Sequence, residues 1–144
     1  MTYEERVAWL RRYRSALAEE RRLRDAIKIA RARAEATTQA MRPAPGGSGG
    51  TDKVATGVEL LDEYRRQLTA QLAQSERLRA EIEAAIASLS DAAQRQVLLS
   101  KYIDGLPWWQ VANQLYISER WAKALHRHAV ENLQIVPASS LSQY

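Results

Sequence analysis

Apolar residues recur every three or four positions through the first part of the chain: Tyr3, Val7, Leu10, Tyr13, Leu17, Leu23, Ile27, Ala30, Ala34 and Met41. That is the period of a helix with one buried stripe. Thr2 followed by Glu5 reads as a capping box at its start, and the Arg- and Ala-rich remainder favours helix. The pattern predicts one long helix over residues 3–41. A second stripe follows at Val54, Val58, Leu61, Leu68, Leu72, Leu78, Ile82, Ile86 and Leu89. Its start is open between Thr51 and the Thr56/Glu59 pair, each a capping candidate. At 1.5 Å per residue, about 35 helical residues span on the order of 50 Å.

Between the stripes lies Pro43-Ala44-Pro45-Gly46-Gly47-Ser48-Gly49-Gly50, which interrupts helix. It is not a Walker loop, because Lys53 follows Asp52 rather than Gly and the preceding element is helical. Two long helices joined by a short break predict an antiparallel hairpin. Each has one stripe, so a lone hairpin buries little. Packing on the last domain, on a second copy, or on both is expected.

The last third changes character. Ser90 is a cap candidate for a helix through Tyr102, Gly105 stops it, and Pro107 suits the first turn of the next helix. That helix is expected to bury Trp108, Val111, Ala112 and Leu115. Ser118 then caps a helix over 118–133 whose inward face is Ala122, Leu125, Ala129 and Leu133. With Trp108 as position one, apolar residues fall at positions four (Val111), eight (Leu115), ten (Ile117) and eighteen (Leu125), with small Ala112 at five. This is the packing code of a helix-turn-helix, whose second helix enters the DNA major groove. The predicted outward side carries Glu119, Arg120, Trp121, Lys123, Ala124 and Arg127, joined at the site by Gln110 and Ser118. Its three cations suit phosphate and guanine contacts. The basic first segment, residues 1–42, reads more simply as a solvated helix face.

The stretch VLLSKYIDGLPWWQVANQLYISERWAKALHRHAVENL (Val97 to Leu133) resembles region four of bacterial sigma factors. It is still more similar to small phage regulators with a sigma-like C-terminal helix-turn-helix, the ArpU-like kind. GGSGGTDKV (Gly46 to Val54), KYIDGL (Lys101 to Leu106), ISER (Ile117 to Arg120) and Leu125-His126 resemble landmarks of an uncharacterised phage family that adds a helical arm and a Gly-rich break. The resemblance implies DNA binding and control of phage transcription with host RNA polymerase. Three positions depart from the pattern: Tyr116 replaces the usual turn Gly, Pro107 the usual Ser or Thr, and Trp109 a frequent Glu. If Tyr116 is left-handed, it costs on the order of 1 kcal/mol.

Charge and composition narrow the alternatives. The chain of 144 residues carries +4 overall, distributed as +5 over residues 1–42, −2 over 51–90 and +1 over 91–144. The modest total does not establish nucleic-acid binding, and the first two segments complement each other as neighbours would. There is no cysteine, which removes disulfides, thiolate metal sites and cysteine nucleophiles. His126 and His128 face different sides of one helix and cannot share a metal, so no metal or cofactor is expected. His126 reads as a packed or capping histidine. Neither a Ser-His-Asp arrangement nor paired carboxylates stand out, so an enzyme is not expected. Trp108 shares the core face. Trp109 and Trp121 lie off it and could meet deoxyribose, a thymine methyl or another helix.

The first 20 residues lack a signal-peptide apolar run, and Glu4, Glu5, Glu19 and Glu20 argue against a transit peptide. No membrane span is expected, and the expected location is the bacterial cytoplasm.

The resulting expectation is all-α. Residues 1–42 and 51–89 form the arm, 43–50 a connector, 90–135 a helix-turn-helix DNA-binding domain and 136–144 a flexible tail. The expected partners are double-stranded DNA, bacterial RNA polymerase and further copies through the arm. Two other functions fit the same pattern, a coiled-coil protein-interaction module without DNA readout and a DNA-binding packaging subunit.

Overall fold

A computed structural model describes residues 1–40 and 49–136. Every regular element among them is helical. These are α1 (Tyr3–Ala40), α2 (Gly49–Ala87), α3 (Ala92–Leu98) continued by a π-helical turn (Leu99–Ile103), α4 (Trp108–Leu115) and α5 (Glu119–Asn132). Two compact units are formed, one by Met1–Ser15 with Glu76–Tyr144 and the other by Ala16–Ser75. The unit holding α4 and α5 is thus larger than the 90–135 segment delimited from sequence. It includes the start of α1 and the end of α2.

The capping box at the start of α1 forms as read: Glu5 N–H donates to Thr2 Oγ1, and Thr2 N–H to Glu5 Oε2, each at 3.1 Å. Gly49 and Gly50, assigned to the connector, are instead the first residues of α2. Once a helix is established, extending it through a glycine costs only about 1 kcal/mol per residue, and tertiary packing overrides that. Neither Thr51 nor Thr56 therefore starts the helix. Met41, the connector up to Ser48 and the tail from Pro137 lie outside the described residues.

Within the Ala16–Ser75 unit one set of buried and half-buried positions recurs by three and four. On α1 they are Ala16, Glu20, Leu23, Ile27, Ala30, Ala34 and Thr37, and on α2 Val54, Gly57, Leu61, Tyr64, Leu68, Gln71 and Ser75, each buried or half-buried. This is the spacing of a coiled-coil seam. Gln71 Nε2 donates to the Ala16 carbonyl at 3.3 Å. The seam differs from the apolar stripe. Val58 and Leu72 are exposed, whereas Gly57, Tyr64, Gln71 and Ser75 turn inward. Selecting apolar letters alone skips the small and polar residues that a seven-residue repeat carries inward. Buried Glu20 keeps an ion pair to Arg24 at 3.6 Å. Exposed pairs such as Glu19–Arg22 and Glu63–Arg66 line the solvent side.

The other unit is built around Leu10 of α1, Ile82 and Ile86 of α2, Val97 and Leu98 of α3, Val111 of α4, and Ala122, Ala129 and Val130 of α5, all of them buried. Asp91, not Ser90, caps α3. Its Oδ1 accepts from the N–H groups of Ala93 (2.8 Å) and Gln94 (3.1 Å). A carboxylate also neutralises the positive helix end, which a hydroxyl does not. The helix is α-helical only to Leu98, and the next five residues widen into the π turn. Buried Ser100 ties that turn to α4, receiving a bond from Gln96 Nε2 and pairing with Gln114 Oε1, both at 3.1 Å. Arg6 reaches the backbone at the end of α5, donating to the carbonyls of Val130 and Leu133.

Gly105 ends the π turn with φ +70°, and a Cβ there would lie 2.4 Å from the Arg14 guanidinium carbon. Gly57, inside α2, has open space instead. We predict opposite signs for the two alanine substitutions. Gly105→Ala should lower unfolding free energy by about 1–2 kcal/mol, from the left-handed backbone and the displaced Arg14, while Gly57→Ala should raise it by about 0.5–1 kcal/mol. Urea unfolding followed by circular dichroism measures both.

Candidate nucleic-acid interface

α4 ends on Tyr116, whose φ of 55° and ψ of 42° are left-handed. The Tyr116 N–H donates to the Asn113 carbonyl at 3.3 Å, and the Ile117 N–H to the Ala112 carbonyl at 3.1 Å. This pair of bonds satisfies the last carbonyls of α4 and turns the chain. Tyr116 is the one left-handed non-glycine among the described residues, and its ring is 95% exposed. The turn therefore carries the backbone strain of a missing glycine without burying the side chain. Pro107 precedes α4 with no side-chain cap, whereas Ser118 Oγ accepts from the Trp121 N–H at 3.1 Å and starts α5.

The angle between α4 and α5 is fixed by a small cluster. Val97, Val111, Ala112 and Ala122 are buried together, with Leu106, Trp108, Leu115, Ile117 and Leu125 packed around them. Ala112 and Ala122 carry only a methyl, which lets the two helices approach closely. Trp108 and Leu115, read as core residues, are half-buried and packed against this cluster.

The eight residues read as site residues occupy distinct positions. Gln110 is half-buried in the first turn of α4. Ser118 has a capping role, its hydroxyl engaged with the backbone of α5. Glu119, Arg120, Trp121, Lys123, Ala124 and Arg127 are all exposed, opposite buried Ala122 and Ala129. The three cations are not equivalent. Arg127 pairs with Glu131 at 3.3 Å and lies 5.0 Å over the Tyr3 ring. Among the described residues, Arg120 and Lys123 form no ion pair. Trp121 and Trp109 remain 59% and 57% exposed.

Behind this face sits His126, 8% exposed. The Tyr102 hydroxyl lies 2.5 Å from its Nε2, and the Tyr3 hydroxyl 3.4 Å from its Nδ1. Trp108 meets the imidazole edge-on at 5.2 Å between ring centres. Burial, then Lys101 and Arg11, push the imidazole down to about 4, so it is neutral at pH 7. Burial, then Tyr3, push the Tyr102 hydroxyl up to about 12, so it keeps its proton. A neutral imidazole has one donor and one acceptor nitrogen, and each faces a tyrosine hydroxyl that can take either role. The packed histidine is thus present as read, but its partners had no local signal. Tyr3 and Arg6 are 123 and 127 residues away from His126 and Leu133.

Among the described residues no group of His, Asp or Glu could hold a metal ion, and no helix is long and apolar enough to cross a membrane. A family model described as a protein of unknown function (DUF1492) matches residues 46–134. No curated protein and no solved structure matches the chain.

The neutral imidazole makes folding pH-dependent. Below about 6.5 an unfolded histidine takes up a proton that folded His126 refuses until about 4. Stability is therefore full above pH 6.5 and falls as pH drops through that window. The loss between pH 6.5 and 5 should be about 1.5 kcal/mol. Thermal melts across this range should show the slope in the wild-type chain and lose it in His126→Gln, which also starts from lower stability.

Proposed function

We propose, from the geometry of a chain that belongs to the DUF1492 family, that it is a sequence-specific DNA-binding regulator of phage or prophage transcription. In this reading α4, the Tyr116 turn and α5 form a helix-turn-helix like that of sigma region four, with α5 in the major groove. The long helices form an antiparallel hairpin arm. The observation that carries the reading is the charge state of α5's outward face. Arg120 and Lys123 stand exposed and unpaired among the described residues, one turn apart, on a helix whose opposite face is locked by Ala122, His126 and Ala129. A surface arginine near the start of such a helix can pair bidentately with a guanine edge, and a neighbouring lysine can hold phosphate. Ser118 supports the site by fixing the start of α5, while Arg127 is held back by Glu131 and Tyr3. The setting is the bacterial cytoplasm, where the protein acts with host RNA polymerase.

Selection of bound duplexes from a random library, read by sequencing, identifies the target. On that duplex, Arg120→Ala should cost roughly 1–3 kcal/mol and relax base preference at one position. Lys123→Ala should weaken cognate and scrambled duplexes alike. Fluorescence anisotropy reads both, and wild-type binding by the Arg120/Lys123 double variant would remove α5 from the interface. Recovery of one packaging-site sequence would instead favour a packaging subunit, and no enrichment a protein-binding module.

We also propose self-association through the Ala16–Ser75 unit. A groove of about 490 Å³ lies between residues 26–38 and 54–64, lined by Ala26, Ala30, Ala34 and Gly57. Ile29, Val58 and Leu60 line it too and are about half exposed. A second copy of the same unit offers a matching apolar surface. Sedimentation equilibrium should show an oligomer that Val58→Lys with Leu60→Lys reduces. A wild-type chain that is monomeric through the micromolar range would refute the association.

A further inference from the structure

α1 brings one arginine to the edge of α5. Tyr3 reaches His126 at 3.4 Å, and Arg14 lies 3.5 Å from the Ile103 carbonyl with its guanidinium over Gly105. Arg11 lies on the same helical face, one turn before Arg14. It is exposed. Lys101 is fixed nearby: its Nζ donates to the Leu106 carbonyl at 3.1 Å and stands 4.7 Å over the Trp108 ring. That ring abuts His126, and Lys123 is exposed one turn before His126 on α5. Arg11, Lys101 and Lys123 thus come from three separate elements, with Lys101 held against the Trp108 ring that abuts His126. None of them forms an ion pair among the described residues.

We propose that Arg11, Lys101 and Lys123 form a phosphate-binding site beside α5, through which the first helix of the chain holds the DNA backbone. The inference rests on the reading of α5 as a groove-facing helix and adds α1 to the interface. The mutual repulsion is already felt inside the protein. Burial first, then Arg11 and Lys123, hold the Lys101 ammonium below the usual lysine range. Arg11 and Lys101 also lower His126. Like charges gathered without an acid are costly in the free protein, and a phosphodiester placed among them relieves that cost. Lys101 is pre-positioned, because its ammonium is already held by a carbonyl and an indole face. Arg11 supplies the two-pronged geometry that suits phosphate oxygens. A contact of this kind tightens binding to any sequence and carries no base information.

The test compares wild type, Arg11→Gln and the control Arg21→Gln, an exposed arginine of the other unit. Anisotropy is measured on the selected duplex and on a scrambled one, from 50 to 300 mM salt, beside thermal melts. Arg11→Gln should lose roughly tenfold in affinity on both duplexes and lower the salt slope by about one, with an unchanged melt. Arg21→Gln should behave as wild type. Wild-type affinity and slope in Arg11→Gln overturn the proposal, as does an equal loss in Arg21→Gln. Should the wild-type chain bind no duplex, the reading of α5 falls, and inorganic pyrophosphate becomes the probe. A rise in melting temperature with pyrophosphate that Arg11→Gln abolishes keeps the phosphate site, with free phosphate as its source. No rise in the wild type overturns it.

Discussion

The unit that carries α5 depends on a neutral imidazole. His126 sits between two tyrosine hydroxyls and the edge of an indole, and among the described residues it bonds to no carboxylate. Burying a histidine is tolerated when both ring nitrogens are bonded and the ring stays uncharged. Tyr102 comes from the π turn, Trp108 from α4 and Tyr3 from the first turn of α1. One side chain of α5 therefore joins three elements. Arg6 reinforces the same closure by bonding the carbonyls of Val130 and Leu133 at the end of α5. The result is a helix fixed at its middle and its C-terminus, with its outward face left to solvent.

The cations of that unit sort by what already holds them. Arg6 is engaged with backbone carbonyls, Arg12 with Glu81 and Trp9, and Arg127 with Glu131 and Tyr3. Lys101 is held by a carbonyl and a ring, which orient its charge without cancelling it. Arg120, Lys123 and Arg11 remain without an anionic partner among the described residues. A net charge of +4 by itself says little about binding. Arg120 and Lys123 stand on the outward face of α5, and the proposed function rests on them.

The turn between α4 and α5 shows how a local departure is absorbed. A left-handed tyrosine is unfavourable, yet the two bonds that close the turn and the packed Ile117 hold it in place. The ring projects fully into solvent near exposed positions of both helices. Strain retained at such a point is a common property of functional surfaces.

Most of the helical content was legible from the sequence, because the signals are local. The Thr2–Glu5 box, the Ser118 cap, the stop at Gly105 and the inward face of α5 each depend on residues within about four positions of one another. Two local choices went the other way for equally local reasons: Asp91 outcompetes Ser90 as a cap, and α2 runs through Gly49 and Gly50. The inward register of the two long helices was only half visible, since Gln71, Ser75 and Glu20 are inward by register and not by polarity. The sequence alone determined which side chains α5 presents outward. Only the tertiary structure decided which of them remain free. The pairing of Tyr3 with His126, the reach of Arg6 to Leu133 and the reach of Arg14 to Ile103 all join residues about 90 or more positions apart. No periodicity or local spacing encodes such contacts. They exist because burying the apolar faces of α1 through α5 in one core brings those side chains together.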